Sequence, residues 1–254
     1  MILLSACQGD ESNQSNQTYQ YDQENSQAQE AEEDQAEAFR LPRLTNENVR
    51  DILIDFGKKN PETQVLMKTR LGDMKIRLYD ETPIHRANFL QLVKRGYYEG
   101  TVFHRVVKDL IIQGGNLDNP IIRTKKNQVG FYRVPAEIKP QLFIHKKGAL
   151  ASPRRDEENP EKRSNPFEFY IVQGGKVEPP IAQALGQQNG VTYNHQQLQT
   201  YALSGGLPHL DGKYTVFGEV IEGLEVIEKI AALPVDESDN WPFDDVVISV
   251  EVLE

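Results

Sequence analysis

Apolar and polar residues alternate through several short stretches of this chain, and that two-residue period narrows the fold more than any other feature. In residues 63–79, Val65, Met67 and Thr69, then Met74, Ile76 and Leu78, alternate with polar neighbours around a Gly72-Asp73 turn. Period two places one side of a strand in a core and the other in water, so the segment reads as a β-hairpin. Residues 246–253 alternate in the same way. Residues 100–113 read as two short strands broken at Lys108-Asp109, and 129–134, 148–152, 167–173 and 214–220 are further strand candidates. Helical spacing is clear in three places. Val49, Ile52, Leu53 and Phe56 recur at i, i+3, i+4 and i+7, with Thr45 as N-cap and Gly57, then Asn60-Pro61, as terminators. Thr82-Pro83 opens a second helix with a stripe of Phe89, Leu92 and Val93, closed by Gly96. A third, 223–232, buries Leu224, Ile227 and Ile230. Many strands at hairpin spacing, without regular βα alternation, point to a mainly β fold: a closed antiparallel barrel with helical caps.

The chain has 254 residues and a net charge of −10, unevenly placed. Residues 1–38 hold nine acids and no Lys or Arg, which leaves 29 acids against 28 bases in the rest. No strongly basic face is implied, so nucleic acid is not expected as a partner. Residues 8–38 contain 14 Gln, Asn or Ser. With almost nothing to bury, such a stretch reads as a disordered tether. The single cysteine, Cys7, excludes an intrachain disulfide. The five histidines lack metal-ligand spacing, so neither metal nor cofactor is expected. Residues 173–206, rich in Gln, Gly and Pro, do not fit a compact barrel and read as a surface insertion with short helices after Pro179-Pro180 and from Asn194.

Two resemblances carry the functional reading. Leu4-Ser5-Ala6-Cys7, after Ile2-Leu3-Leu4, resembles the end of a bacterial lipoprotein signal peptide, in which the cysteine thiol receives a lipid. It implies that residues 1–7 are a signal remnant, Cys7 a lipidation site and 8–43 an acidic tether. The helix 44–61 and a folded domain 63–254 would follow. The expected location is the bacterial cell envelope, with the membrane engaged through a lipid anchor only. The second is carried by Phe103-His104-Arg105-Val106-Val107 with Leu110-Ile111-Ile112-Gln113-Gly114-Gly115, by Gly148-Ala149-Leu150-Ala151, by Glu168-Phe169-Tyr170-Ile171, and by residues 210–220. In this order they resemble the signatures of cyclophilin-type peptidyl-prolyl cis-trans isomerases. The resemblance implies an eight-stranded barrel capped by two helices, with 173–206 inserted.

It also implies a reaction, rotation about X–Pro bonds, and a partner class, proline-containing polypeptides. Amide resonance sets a barrier of about 18–20 kcal/mol. No bond is broken, so a pocket for the ring and a donor favouring the twisted amide suffice. Arg105 occupies the family's catalytic arginine position, and its guanidinium would hydrogen-bond the prolyl nitrogen as the lone pair localises there. Gln113 matches the substrate-contacting glutamine. Leu110, Ile111, Tyr170 and Leu210 match the proline pocket, with His209 and Tyr214 beside it. Glu168 stands where the family has Gln, and a charge there is expected to pair with Arg105 and compete with substrate. Ser152-Pro153-Arg154-Arg155 departs from the family's usual run, and the arginines are expected to favour acidic substrates. The leading expectation is an isomerase assisting the folding of exported proteins. The alternatives are a weakly active or inactive module that binds proline-containing segments, and a structural envelope lipoprotein.

Overall fold

The computed structural model describes residues 41–253. Cys7 and residues 8–40 of the expected tether lie outside them. The described chain begins with β1 (Leu44–Thr45) and α1 (Val49–Lys59), then β2 (Gln64–Thr69), β3 (Gly72–Leu78) and α2 (Pro83–Lys94). A second hairpin, β4 (Thr101–Val107) and β5 (Ile111–Asn116), leads into α3 (Pro120–Val129) and β6 (Gly130–Phe131). Then come β7 (Ala149–Ser152), β8 (Phe169–Val172), α4 (Pro179–Gln188) and α5 (His195–Leu203). A 3-10 turn, Pro208–Leu210, precedes β9 (Thr215–Glu222), α6 (Leu224–Ala231) and β10 (Val247–Leu253). Eight strands close into a barrel in the order β10-β2-β3-β9-β7-β8-β5-β4, every pairing antiparallel. β1 and β6 pair separately, in parallel.

Alternation decides what fills the barrel. On β2 and β3 the residues Val65, Met67, Met74 and Ile76 are fully buried. On β8 Phe169 is also fully buried, its ring set edge-on to Phe89 of α2 and Phe103 of β4. α2 packs on β9 and β10, and α6 on β3, β4 and β5. α2 is buried on nearly all sides because α1 covers its outer face.

Several local expectations shift. Gly57 does not end α1. It lies inside the helix, where an added Cβ would come to 3.3 Å of the Ala87 Cβ, so its bare backbone sets the close approach of α1 to α2. Thr45 belongs to β1, and the residue before the helix is Asn48. Arg43, at the end of the expected tether, places its guanidinium 5.2 Å from the Phe131 ring centroid. The first hairpin turns at Arg70-Leu71, since Thr69 pairs directly with Gly72. Leu224 is 41% exposed, and Val226, Ile227 and Ile230 carry the buried face of α6. Of the strand expected at 129–134, only Gly130–Phe131 forms one. α3 was not expected at all; Asn119 caps it by accepting from the Ile122 N–H at 2.8 Å.

Arg86 fastens α1 to α2. Its Nη1 donates to the carbonyls of Asn60 and Glu62 at 3.1 and 3.2 Å, and Nη2 to that of Gly57 at 3.4 Å. Carbonyls at a helix C-terminus lack intrahelical partners and favour a cation. Arg86→Ala is expected to lower stability by about 1–3 kcal/mol, because buried acceptors lose a charged donor. Urea unfolding of the two proteins measures this, and superimposable curves would contradict it.

Candidate active site

The site begins with a defect in strand pairing. Phe103 pairs with Gly114 and Arg105 with Gln113, so His104 is an extra residue on β4. A bulge re-aims the side chains that follow it. Here Phe103 stays in the barrel, fully buried, while Arg105 reaches a cavity outside it. β5 carries its own irregularity at Gly115, whose φ of +90° favours glycine and where a Cβ would stand 2.5 Å from the Phe167 carbonyl oxygen. The two irregularities leave Arg105 and Gln113 directly opposite each other.

The cavity has a volume of about 430 Å³. Leu110, Ile111, Tyr170, Leu210 and Tyr214 give it an apolar and aromatic lining, while Arg105 and Gln113 supply polar groups. Alternation on β8 sends Tyr170 to this side, against Ile111, Ala151 and Val216, while Phe169 stays in the barrel core. The Tyr170 and Tyr214 rings meet edge to face at 6.1 Å. Pro153 and Arg154 complete the lining.

Arg105, Gln113 and Glu168 form a chain. Arg105 Nη1 donates to Gln113 Oε1 at 3.4 Å, and Gln113 Nε2 donates to Glu168 Oε2 at 2.9 Å. The expectation that Glu168 would pair with Arg105 is therefore corrected. The histidine beside it is His104, with Nε2 at 3.6 Å from Oε2. A carboxylate can only accept, so Glu168 holds the donor end of the Gln113 amide and turns the carbonyl end toward Arg105. Burial pushes the Glu168 carboxyl up, but the hydrogen bonds and charges of His104, Gln113 and Lys126 outweigh it and hold it below the ordinary value.

Three further expectations change. His209 does not line the cavity; its carbonyl accepts from Asn189 Nδ2 at 3.0 Å, beside the lining residue Leu210. Arg154 is not free to meet acidic substrates. Its Nε donates to the Lys213 carbonyl at 3.0 Å, Nη1 lies 2.5 Å from Asp156, and the guanidinium covers the Tyr214 ring at 5.0 Å. Nor is 173–206 merely superficial. Ala182, Tyr193 and Tyr201 are buried, and both tyrosines hydrogen-bond Asp211, which in turn holds His145. Neither Asp211 nor His145 was a candidate site residue. The signal for them is Tyr170, where the family pattern has Phe: a buried phenol needs a hydrogen-bond partner.

The lowered carboxyl at Glu168 sets a pH dependence. Its stabilising contribution is complete above the unfolded value of 4.5 and is lost as the pH falls through the lower folded value. Glu168→Gln is therefore expected to flatten the acid limb of the stability–pH curve, measured by urea unfolding between neutral and acid pH. An equally steep limb in the variant would show that the ionisation at Glu168 contributes nothing.

Comparison with known proteins agrees with this fold. Residues 64–252 match the model of the family described as Cyclophilin type peptidyl-prolyl cis-trans isomerase/CLD. A Staphylococcus saprophyticus protein, provisionally named a peptidyl-prolyl cis-trans isomerase, is 34% identical over 197 residues, which cover 76% of this chain and 93% of that protein. The crystal structure of a Cryptosporidium parvum cyclophilin type peptidyl-prolyl cis-trans isomerase is similar with a TM-score of 0.54 at 25% identity, covering 76% of this chain and 98% of that one. The same protein in the presence of the dipeptide Ala-Pro gives a TM-score of 0.54, again at 25% identity, over 75% and 99% of the two chains. The chain belongs to the cyclophilin-type peptidyl-prolyl cis-trans isomerase family and is an isomerase of that type.

Proposed function

We propose that the cavity receives a proline ring of a polypeptide and that Arg105 drives the rotation. The observation that carries this reading is the placement of Arg105 opposite Gln113 on an otherwise largely apolar cavity. The ring enters among Leu110, Ile111, Tyr170, Leu210 and Tyr214. As the amide twists, its resonance is lost and the lone pair localises on nitrogen. The Arg105 guanidinium carries five N–H donors, one of them used on Gln113, and donates another to that nitrogen. The interaction strengthens only as the twist develops, so it lowers the barrier rather than deepening the ground state. Gln113 steadies Arg105 and offers its amide to the substrate backbone. The Ala-Pro dipeptide used with the Cryptosporidium parvum protein supports a substrate of this class. The acidic, polar segment behind Cys7, with its lipoprotein-like motif, supports clients among exported proteins at the cell envelope.

A protease-coupled isomerisation assay on the full chain tests the reading. Arg105→Ala is expected to lose about 10²-fold in turnover, the scale for removing one preorganised donor to a developing charge, with its unfolding curve unchanged. Undiminished turnover in a folded variant would remove Arg105 from the mechanism. Peptide binding without turnover in the parent would make the chain a module that holds proline-containing segments.

A further inference from the structure

We propose that Asp211 and His145 are positioning residues for the proline cavity, and that through them the helices α4 and α5 become part of the site. The proposal rests on the isomerase reading above. Asp211 directly follows the lining residue Leu210 and is 1% exposed. Its Oδ1 accepts from the His145 backbone N–H at 2.8 Å and from His145 Nδ1 at 2.6 Å. Its Oδ2 accepts from the hydroxyls of Tyr193, at 2.7 Å, and Tyr201. Four donors therefore saturate one buried carboxylate. Tyr193 lies between α4 and α5, and Tyr201 within α5, so half of these donors come from the 173–206 segment.

The chain continues to the cavity. With Nδ1 donating to the carboxylate, a neutral His145 presents Nε2 as an acceptor, 2.9 Å from the Tyr170 hydroxyl. Burial, with Tyr214 and Asp211 adding to it, pushes the Tyr170 phenol well above its ordinary value, so the hydroxyl keeps its proton and donates. The His145 and Tyr170 rings lie nearly parallel at 6.0 Å. Tyr170 is thus held from behind by a hydrogen bond, while its ring lines the cavity. The order of dependence runs from Tyr193 and Tyr201 to Asp211, then His145, then Tyr170. None of the first four lines the cavity, so the effect falls on the fit of the proline ring, not on the donor Arg105.

Steady-state kinetics on the full chain test this. Tyr201→Phe removes one donor to Asp211 with almost no change in volume. KM for a proline tetrapeptide is expected to rise about three- to tenfold, the scale of one net hydrogen bond, with kcat within about twofold. Tyr193→Phe should act in the same direction, and serves if Tyr201→Phe fails to fold. In a double-mutant cycle, Tyr201→Phe added to Tyr170→Phe should raise KM no further, because the linkage is already cut. A lowered melting temperature with KM unchanged, or two effects that simply multiply, would overturn the proposal. A parent protein without Arg105-dependent turnover would instead overturn the isomerase reading, and this inference with it. An active parent whose tyrosine variants keep the parental KM overturns this inference alone.

Discussion

β10 lies between β2 and β4, and that double pairing closes the sheet. An open sheet has two edges that can pair elsewhere, and closure removes both. It also leaves the intervening strands little freedom to slip. One row of residues follows from the resulting register. Arg105 faces Gln113, Gln113 faces Tyr170, Tyr170 faces Ala151, and Ala151 faces Val216. A slip of one residue would reverse the faces of a strand. On β8 it would send Tyr170 into the barrel and bring Phe169 or Ile171 out. Backbone pairing therefore places Arg105, Ile111, Gln113 and Tyr170 along one wall of the cavity, while Leu110, Pro153, Arg154, Leu210 and Tyr214 complete it from the connections between strands.

Two sheltered carboxylates then refine what the register supplies. Glu168 precedes β8 and Asp211 follows the Pro208–Leu210 turn. A buried carboxylate without partners costs several kcal/mol, so each must be surrounded by donors. Glu168 collects Gln113, Asn116 and His104; Asp211 collects a backbone N–H, a histidine and two tyrosines. Because a carboxylate accepts and never donates, each also fixes which end of its partner points where. Glu168 orients the Gln113 amide on one side of the cavity. Asp211 orients the His145 ring behind Tyr170. Two side chains that end beside the paired residues Gln113 and Tyr170 are thus oriented by the same chemical device.

Much of this was legible in the sequence, for a physical reason. A strand with one face in a core must alternate, and β2, β3 and β10 do. Arg105, Leu110, Ile111 and Gln113 were legible together because they sit on one hairpin; Tyr170, Leu210 and Tyr214 lie far along the chain and came only from the family pattern. The bulge at His104 was not legible, since a two-residue period cannot show where pairing adds a residue. α3 was missed because its sequence is mostly polar, and of its two adjacent isoleucines one, Ile121, is exposed. Gly57 was misread because a glycine after a helical stripe is usually a terminator; only the proximity of Ala87 shows what else it does. His145 and Asp211 stand 66 residues apart, and no local pattern joins them.

The seam of the barrel also has a temporal meaning. Lys68 of β2 meets Glu251 of β10 across 183 residues of chain. Contacts that distant are slow to form, because a long loop must be ordered before they return any free energy. During synthesis β2 and β3 emerge early, yet β2 waits for its second neighbour until the final strand leaves the ribosome. Through that interval β2 and β4 are open edges, exposed to pairing with other nascent chains. An isomerase of this type thus has a slow folding step of its own, written into the order of its strands.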